Sequence, residues 1–346
     1  FFELAKSRLT ENGMLCQAIP TERLNANDHI ALVATFVETF PNSLCFTTGT
    51  DLILVGYRDD LTINLEQTKE RLRHIDVVSS LNEVGFTNPA HLWGTLIADF
   101  TRQEPGSPNP THTDNTSFIE FNSPRLAFTN TGVANRQLQL KLLAGHGNAS
   151  SALIEAFSKP EQDEIRYHQG ALANALHARV LLAKNDINGA LESIEKALSL
   201  GSRNPIVLQE AGNIFRKAGT VALANGEQTN ATTYFEKAYQ VQPHHFQNLR
   251  LLTIAYLRAG DHENAAPLLL QGRERFPESP HFYSLSGSYY LERGELERSL
   301  AFHALAVAKA PKLDSLWTQY LLAARAAGSE EILKKIEQER LEYLEN

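Results

Sequence analysis

Several groups of residues have side chains that could do chemistry. Gln17 comes late in an apolar run, Met14 to Ile19, that Pro20 closes. A polar amide near the C-terminal end of a parallel strand stands where open α/β sheets bind ligands. The same amide could equally be satisfied by neighbouring loop backbone. Asp51 opens a second run, Leu52 to Val55, and could reach the same edge, although an Asp after Gly-Thr is an ordinary turn residue. His112 and Asp114 form an H-x-D pair in a proline-rich loop. A metal would need a third ligand at workable spacing and none is evident, so Asp114 reads first as a cap or Asx-turn. His244-His245 with His262 suggests a metal cluster, but the pair simply follows Pro243 and reads as surface. Arg216, Lys217, Arg250 and Arg258 form a basic strip able to pair with a carboxylate or an acidic peptide segment, if it is more than a solvated face. No G-x-S-x-G, P-loop, H-E-x-x-H or C-x-x-C occurs. The expectation is no catalytic residue and no metal site in this chain.

Composition narrows the classes of partner. A chain of 346 residues exceeds the usual single-domain size, so two units are expected. A net charge of −8 without a long run of either sign argues against nucleic acid, which requires a basic stripe to replace counterions. Cys16 and Cys45 lie in apolar strand-like runs and are expected to be buried free thiols in a reducing compartment. No apolar run is long enough to span a bilayer, and there is no signal-peptide pattern. A cytoplasmic location follows as an expectation, with the cytoplasmic side of a membrane-anchored longer protein as its variant. Phe1-Phe2-Glu3-Leu4 has mid-helix character and lacks a Met, which reads as the downstream piece of a longer polypeptide.

The elements that must position these residues follow in order. Phe1 to Leu9 ends an amphipathic helix, and Glu11-Asn12-Gly13 is a stop and turn signal. Met14 to Ile19 is a short strand. Asn27 or Asp28 caps a helix to about Phe40, with Ile30, Val33, Phe36 and Phe40 on its apolar side. Ser43–Phe46 and Asp51–Tyr57 are strands joined as a hairpin, so the series fits the second half of an open α/β sheet. Leu65–Ile75 and Pro89–Phe100 read as helices, Thr101–Asn115 as a loop, and Phe118–Phe121 as a strand before Pro124. From about Asn135 the chain turns helical and Ala-rich.

The second half has a period. Pro243, Pro277 and Pro311 fall 34 residues apart, as do Gly260, Gly294 and Gly328, and Trp317 repeats the place of Tyr283. That period marks an array of helix pairs, each too small to bury its apolar face alone. The stretch His281–Pro311 carries Tyr283, Gly287, Tyr290, Ala306 and Pro311, and His244–Pro277 carries Leu249, Leu252, Tyr256, Ala265 and Pro277 with Thr253 at the close-contact position. These residues resemble tetratricopeptide repeats. Ala231, Phe235, Ala238 and Pro243 make the second helix of an earlier repeat. The first helix of that repeat carries Gly212 and Phe215, which puts about seven extra residues in the turn around Asn225–Asn230. A weaker copy with Ala178, Ala190, Ile194 and Ala197 precedes it. The resemblance implies binding rather than chemistry. The concave face would present Gln209, Asn213, Arg216, Lys217, Gln247, Arg250, Arg258, His281, Ser284 and Ser288 to a protein or peptide partner. The polar segment from Ser329 would cap the array.

The first third carries its own pattern. Ala5, Leu9 and Gly13 run into Leu15-Cys16-Gln17, and Thr39-Phe40-Pro41 ends the following helix. Thr48-Gly49-Thr50-Asp51 precedes Leu52 to Gly56, and Thr113-Asp114 leads to Phe118-Ile119-Glu120-Phe121 and Pro124. This order resembles the C-terminal half of a spermidine-synthase-like domain, in the form fused to transporters in bacteria. The resemblance implies a methyltransferase-type sheet, with the half that grips decarboxylated S-adenosylmethionine or S-adenosylmethionine lying upstream. It implies Gln17 as an amine-facing residue, with Ile19 where the family has a glutamate. It places Asp114 and Asn115 where the family has paired aspartates. Substrate-facing residues on this reading are Gln17, Asp51 and Asp114, toward a polyamine-type molecule.

The expected fold is thus a partial methyltransferase-like (Rossmann-type) α/β sheet over 1–130, a helical linker over 131–165, and an all-α repeat superhelix over 166–346. The expected function is part of an aminopropyl or related S-adenosylmethionine-type transferase carrying a protein-interaction module, inactive alone. A non-catalytic scaffold built on a degenerate synthase domain is the alternative.

Overall fold

Turn chemistry sets the start of the chain. Helix α1 (Phe2–Arg8) ends before a turn in which Asn12 takes a left-handed backbone conformation at φ 60°, which a short polar side chain tolerates. Strand β1 (Met14–Pro20) follows. The computed structural model describes residues 1–21, 24–59, 65–101, 131–144, 152–200 and 203–345. The chain divides into two compact units, Phe1–Ile214 and Phe215–Asn346.

In the first unit, helix α2 (Ala26–Thr39) is capped by Asn25, whose side chain accepts from the Asp28 N–H at 2.8 Å. The cap therefore falls ahead of both expected positions, Asn27 and Asp28. Strands β2 (Ser43–Thr47) and β3 (Asp51–Tyr57) form the anticipated hairpin, and β4 (Leu96–Asp99) completes a sheet of order β1-β3-β2-β4. Every neighbouring pair is antiparallel. The Rossmann-type parallel sheet expected from the sequence is not found among the described residues. The reason is the hairpin: β3 turns straight back and inserts between β1 and β2. Those two strands both run against β3, hence in the same direction, and α2 joins them as a split β–α–β unit.

The α2 face of this sheet is closed by aromatic rings. Phe36 and Phe40 are fully buried, and a Cβ on Gly56 would come within 2.6 Å of Phe40. Leu52, Leu54, Cys45 and Ile97 join them in one core, together with Leu172 and Leu176 of the long helix Lys159–Ala183. The opposite face at β2 and β4 is covered by Trp93, Phe157 and Ile165.

Three further expectations need correcting. Cys45 is buried, but Cys16 is exposed, because it points away from the α2 side on an outer strand. The helix expected over Leu65–Ile75 is two helices, α3 (Leu65–Leu72) and α4 (Ile75–Glu83). The stretch Pro89–Phe100 is a short helix, α5 (Pro89–Trp93), followed by β4. All four β4 residues are buried, so no alternation marks the strand in sequence. The loop expected over Thr101–Asn115, apart from Thr101, and the strand Phe118–Phe121 lie outside the described residues.

Helices α6 (Gly132–Leu142), α7 (Ala152–Glu155), α8 (Lys159–Ala183) and α9 (Ile187–Ser199) follow. A capping box starts α8: the Glu161 carboxylate accepts from the Ser158 N–H at 2.9 Å and from its hydroxyl at 2.7 Å. Lys69 also reaches Glu161 at 2.9 Å, and its hydrogen bond, with those from Ser158, lowers that carboxyl to about 2.

Helix α10 (Pro205–Ala224) leads to α11 (Gln228–Val241), α12 (Phe246–Arg258), α13 (His262–Arg275), α14 (Pro280–Glu292), α15 (Leu296–Lys309), α16 (Asp314–Ala326) and α17 (Glu330–Glu345). Gly226, Gly260, Gly294 and Gly328 each follow a helix with φ between 68° and 81°, the left-handed stop that glycine adopts without strain. Gly226 is in register with the others, so the turn after α10 holds no insertion. The surplus lies in the helix itself: α10 has 20 residues and α12 and α14 have 13. The close-contact glycine of that repeat is accordingly Gly219, where a Cβ would meet the Phe235 ring at 2.6 Å. Gly287 takes the same place against His303, at 2.5 Å.

Candidate functional site

Among the described residues, the second unit gathers one group of those singled out in the sequence. Arg216 is half-buried on α10, and its guanidinium donates to the Asn248 side-chain oxygen at 2.7 Å. Asn248 is fully buried, and its amide donates to the carbonyls of Ala238 at 2.7 Å and Gln242 at 3.2 Å. Both ends of that amide are therefore engaged, which fixes where Arg216 points. One repeat further on, Arg250 donates to the Gln247 side-chain oxygen at 3.3 Å.

Each arginine lies beside a histidine at the start of a helix that opens a pair, His245 before α12 and His281 in α14. Burial first, then the Arg216 charge, hold the His245 imidazole below its ordinary range. Burial and then Arg250 do the same to His281. Phe246 lies between, its ring 5.9 Å from that of His281 and 5.6 Å from that of Phe282. Lys217, Gln247 and Arg258 are exposed, Ser284 is buried, and the half-buried Ser288 donates to the Ser284 carbonyl at 3.3 Å. Arg258 sits eight residues beyond Arg250, about 12 Å along the helix axis. The arrangement is two guanidinium–imidazole pairs one repeat apart, an electropositive row suited to carboxylates.

Gln209 and Asn213 belong to the first unit, the former exposed and the latter half-buried. Two contributors were missed in the sequence. Asn248 is a polar residue at a buried register position of α12, and that placement was its available signal. His245 looked like a surface residue because it follows a helix-ending proline.

The substrate-facing trio is not assembled. Gln17 is the fourth of seven residues in β1, not at its C-terminal end, and it pairs with Leu54. Its amide donates to the Ala18 carbonyl at 2.8 Å. Asp51 accepts from the hydroxyls of Thr48 at 3.2 Å and Thr50 at 3.0 Å, closing the β2–β3 turn. Asp51 stands opposite Pro20, so alternation puts it on the other face of the sheet from Gln17. Asp114, with His112, lies outside the described residues. His244 contacts Arg275, while the His262 ring packs edge-on to Tyr289 at 5.5 Å, so these histidines do not converge. Among the described residues no group of three or more His, Cys, Asp or Glu could hold a metal ion.

Residues 251–314, which begin directly after Arg250 and include His281, match the family model of the tetratricopeptide repeat. These residues are tetratricopeptide repeats. Among solved structures the chain is similar to YrrB, described as a TPR protein with an unusual peptide-binding site. The two are 19% identical over 56% of this chain and 94% of that one, at a TM-score of 0.42. It is similar to MamA from Desulfovibrio magneticus RS-1 (16% identity, 51% of this chain, 94% of that chain, TM-score 0.41). It is also similar to TTC0263, a thermophilic TPR protein of Thermus thermophilus (23% identity, 55% and 91%, TM-score 0.29). No curated protein matches it in sequence. Among the described residues no helix is long and apolar enough to cross a membrane. The repeats are a protein-interaction module, with Arg250 on α12 and His281, Ser284 and Ser288 on α14, helices that each open a pair.

Proposed function

We propose that the chain is an adaptor whose repeats hold an acidic peptide segment of a partner protein against Arg216 and Arg250. The observation that carries this reading is the tether on Arg216. A guanidinium aimed by a buried, doubly anchored Asn248 loses little freedom on meeting a carboxylate, and that preorganisation favours binding. Arg250, Lys217 and Arg258 extend the electropositive row, with Gln247, His281, Ser284 and Ser288 as polar contacts. Fluorescence anisotropy with a labelled Asp/Glu-rich peptide tests it. Arg216→Ala and Arg250→Ala are each expected to weaken binding about tenfold, roughly 1.4 kcal/mol, and added salt to weaken it further. Binding that ignores both substitutions and salt would sink the proposal.

On this reading the first unit is a base derived from a spermidine-synthase-like half-domain rather than a working transferase. The engagement of Gln17 and Asp51 supports it. A polyamine or an S-adenosylmethionine-type ligand would first have to break the Gln17–Ala18 bond and the Asp51 turn. Calorimetry with methylthioadenosine is expected to give no binding heat. A saturable heat would favour the transferase instead.

A further inference from the structure

The face that carries Arg250 continues past it. From Ser315 onward the exposed residues of α16 are Ser315, Thr318, Gln319, Leu322, Arg325 and Ala326, a single stripe at helical spacing. The 34-residue register lines this stripe up with the other helices that open pairs. Thr318 takes the place of Ser284 on α14 and of Arg250 on α12, and Leu322 takes the places of Ser288 and Ile254. Helix α12 touches α14, and α14 touches α16. One face therefore crosses three neighbouring helices, and its chemistry changes on the way.

Positive charge stops first. Arg216 and Arg250 stand at successive copies of one position, and the next two copies are Ser284 and Thr318. Ser288 donates its proton to the Ser284 carbonyl, and Thr318 donates to the Asp314 carbonyl at 3.2 Å. With those protons committed to their own helices, the two hydroxyl oxygens are left to accept, and a peptide N–H is a matching donor. The charges that remain beyond them, Glu292 on α14 and Arg325 on α16, lie about one turn further along their helices. Apolar exposure rises in the same direction. Leu251 and Leu285 are half-buried against the core of the second unit. Leu322 is 46% exposed, the one exposed large apolar side chain of α12, α14 and α16 among the described residues. A lone surface leucine is ordinary. This one is set apart by its register, in line with Ile254, which lies one turn from Arg250.

We infer that the partner's segment is bipartite. Past the carboxylates held on Arg216 and Arg250, the same extended peptide sets one large apolar side chain on Leu322, with Leu285 of α14 beside it. The inference deepens the peptide reading proposed above and rests on it. Complementarity selects this occupant over its simpler rivals. A wholly acidic segment would leave carboxylates over Ser284, Thr318 and Leu322 with no cation to meet them, and a wholly apolar one would cover two arginines without pairing them. Geometry sets the spacing. Packed helices lie about 8–10 Å apart, so the two steps from α12 to α16 cover roughly 20 Å. An extended chain advances about 3.3 Å per residue, which separates the apolar side chain from the carboxylate on Arg250 by about six residues.

The test is fluorescence anisotropy on the whole chain with labelled peptides that share an Asp-Glu pair in a Gly/Ser background. One set carries a leucine about six residues to the N-terminal or C-terminal side of the pair, another carries it about two residues away, and a third has alanine instead. In one of the two directions the six-residue leucine peptide is expected to bind about tenfold more tightly than its alanine counterpart, and the two-residue peptide to gain little. Leu322→Ser, a surface change whose fold circular dichroism checks, should cut that leucine-to-alanine ratio to below about twofold. Arg250→Ala should weaken the leucine and alanine peptides alike. No leucine gain in either direction, a gain that survives Leu322→Ser, or an equal gain at two residues would overturn the bipartite segment while leaving the acidic site standing. Alanine-peptide binding that ignores Arg250→Ala would instead remove the acidic site, and this inference with it.

Discussion

Phe282→Ala is expected to destabilise the second unit by about 4 kcal/mol. The ring is fully buried and lies flat on Gly272, where even a Cβ would approach its carbons to 2.1 Å. Phe276 stacks on it at 6.0 Å, and Phe246 meets it edge-on at 5.6 Å. Gly272 has no side chain to relax into the space left behind, so the cavity stays open. Helix pairs in an array are stabilised by their neighbours, so the loss spreads to the pairs on either side. Urea unfolding followed by circular dichroism measures it, and Phe282→Leu should cost much less. A loss below about 1 kcal/mol would mean that the site collapses or that the ring does not hold the pairs together.

His303 gives the second large effect, and it depends on pH. The imidazole is fully buried against Gly287, and among the described residues neither ring nitrogen has a hydrogen-bond partner. Burial lowers its pKa from 6.5 to about 4. The unfolded chain then binds the proton more readily than the folded one. Stability is fully present above the unfolded value and falls as pH drops from 6.5 toward 4, by a total on the order of 3 kcal/mol. His245 and His281 are also lowered and contribute with the same sign, so the wild-type curve alone does not isolate this residue. His303→Phe keeps a ring against Gly287 and removes the titration. Its urea midpoint should decline less on acidification than that of the wild type. Parallel decline of the two proteins would place the acid sensitivity elsewhere.

The repeats were legible because their stops are chemical. Pro243, Pro277 and Pro311 cannot continue a helix, and Gly260, Gly294 and Gly328 supply the left-handed stop, so the period is written in residues with few alternatives. The same left-handed stop stands at Gly226. Its register with Gly260 shows that α10 itself is long, whereas residue count alone suggested a long turn. The sheet was legible strand by strand for β1, β2 and β3 but not in its pairing. Order and direction depend on where a hairpin returns, which no local pattern states. β4 was hidden because it is buried on both faces. At the site, charged residues such as Arg216 and Arg250 could be found from sequence, whereas Asn248, which aims one of them, looks in sequence like any polar helical residue. Gln17 shows the converse. Its type and neighbours pointed to a ligand, and the fold occupies it with its own backbone.

The most direct test of the peptide site is an NMR titration of the histidine ring protons with and without a saturating Asp/Glu-rich peptide. A carboxylate placed on Arg216 and Arg250 offsets the positive charges that help depress His245 and His281. Both should therefore titrate at higher pH in the complex, by about half a unit or more, while His303 stays where burial holds it. Unmoved titrations of His245 and His281 with the peptide demonstrably bound would contradict the account, because the acidic segment would then lie somewhere other than the Arg216–Arg250 row.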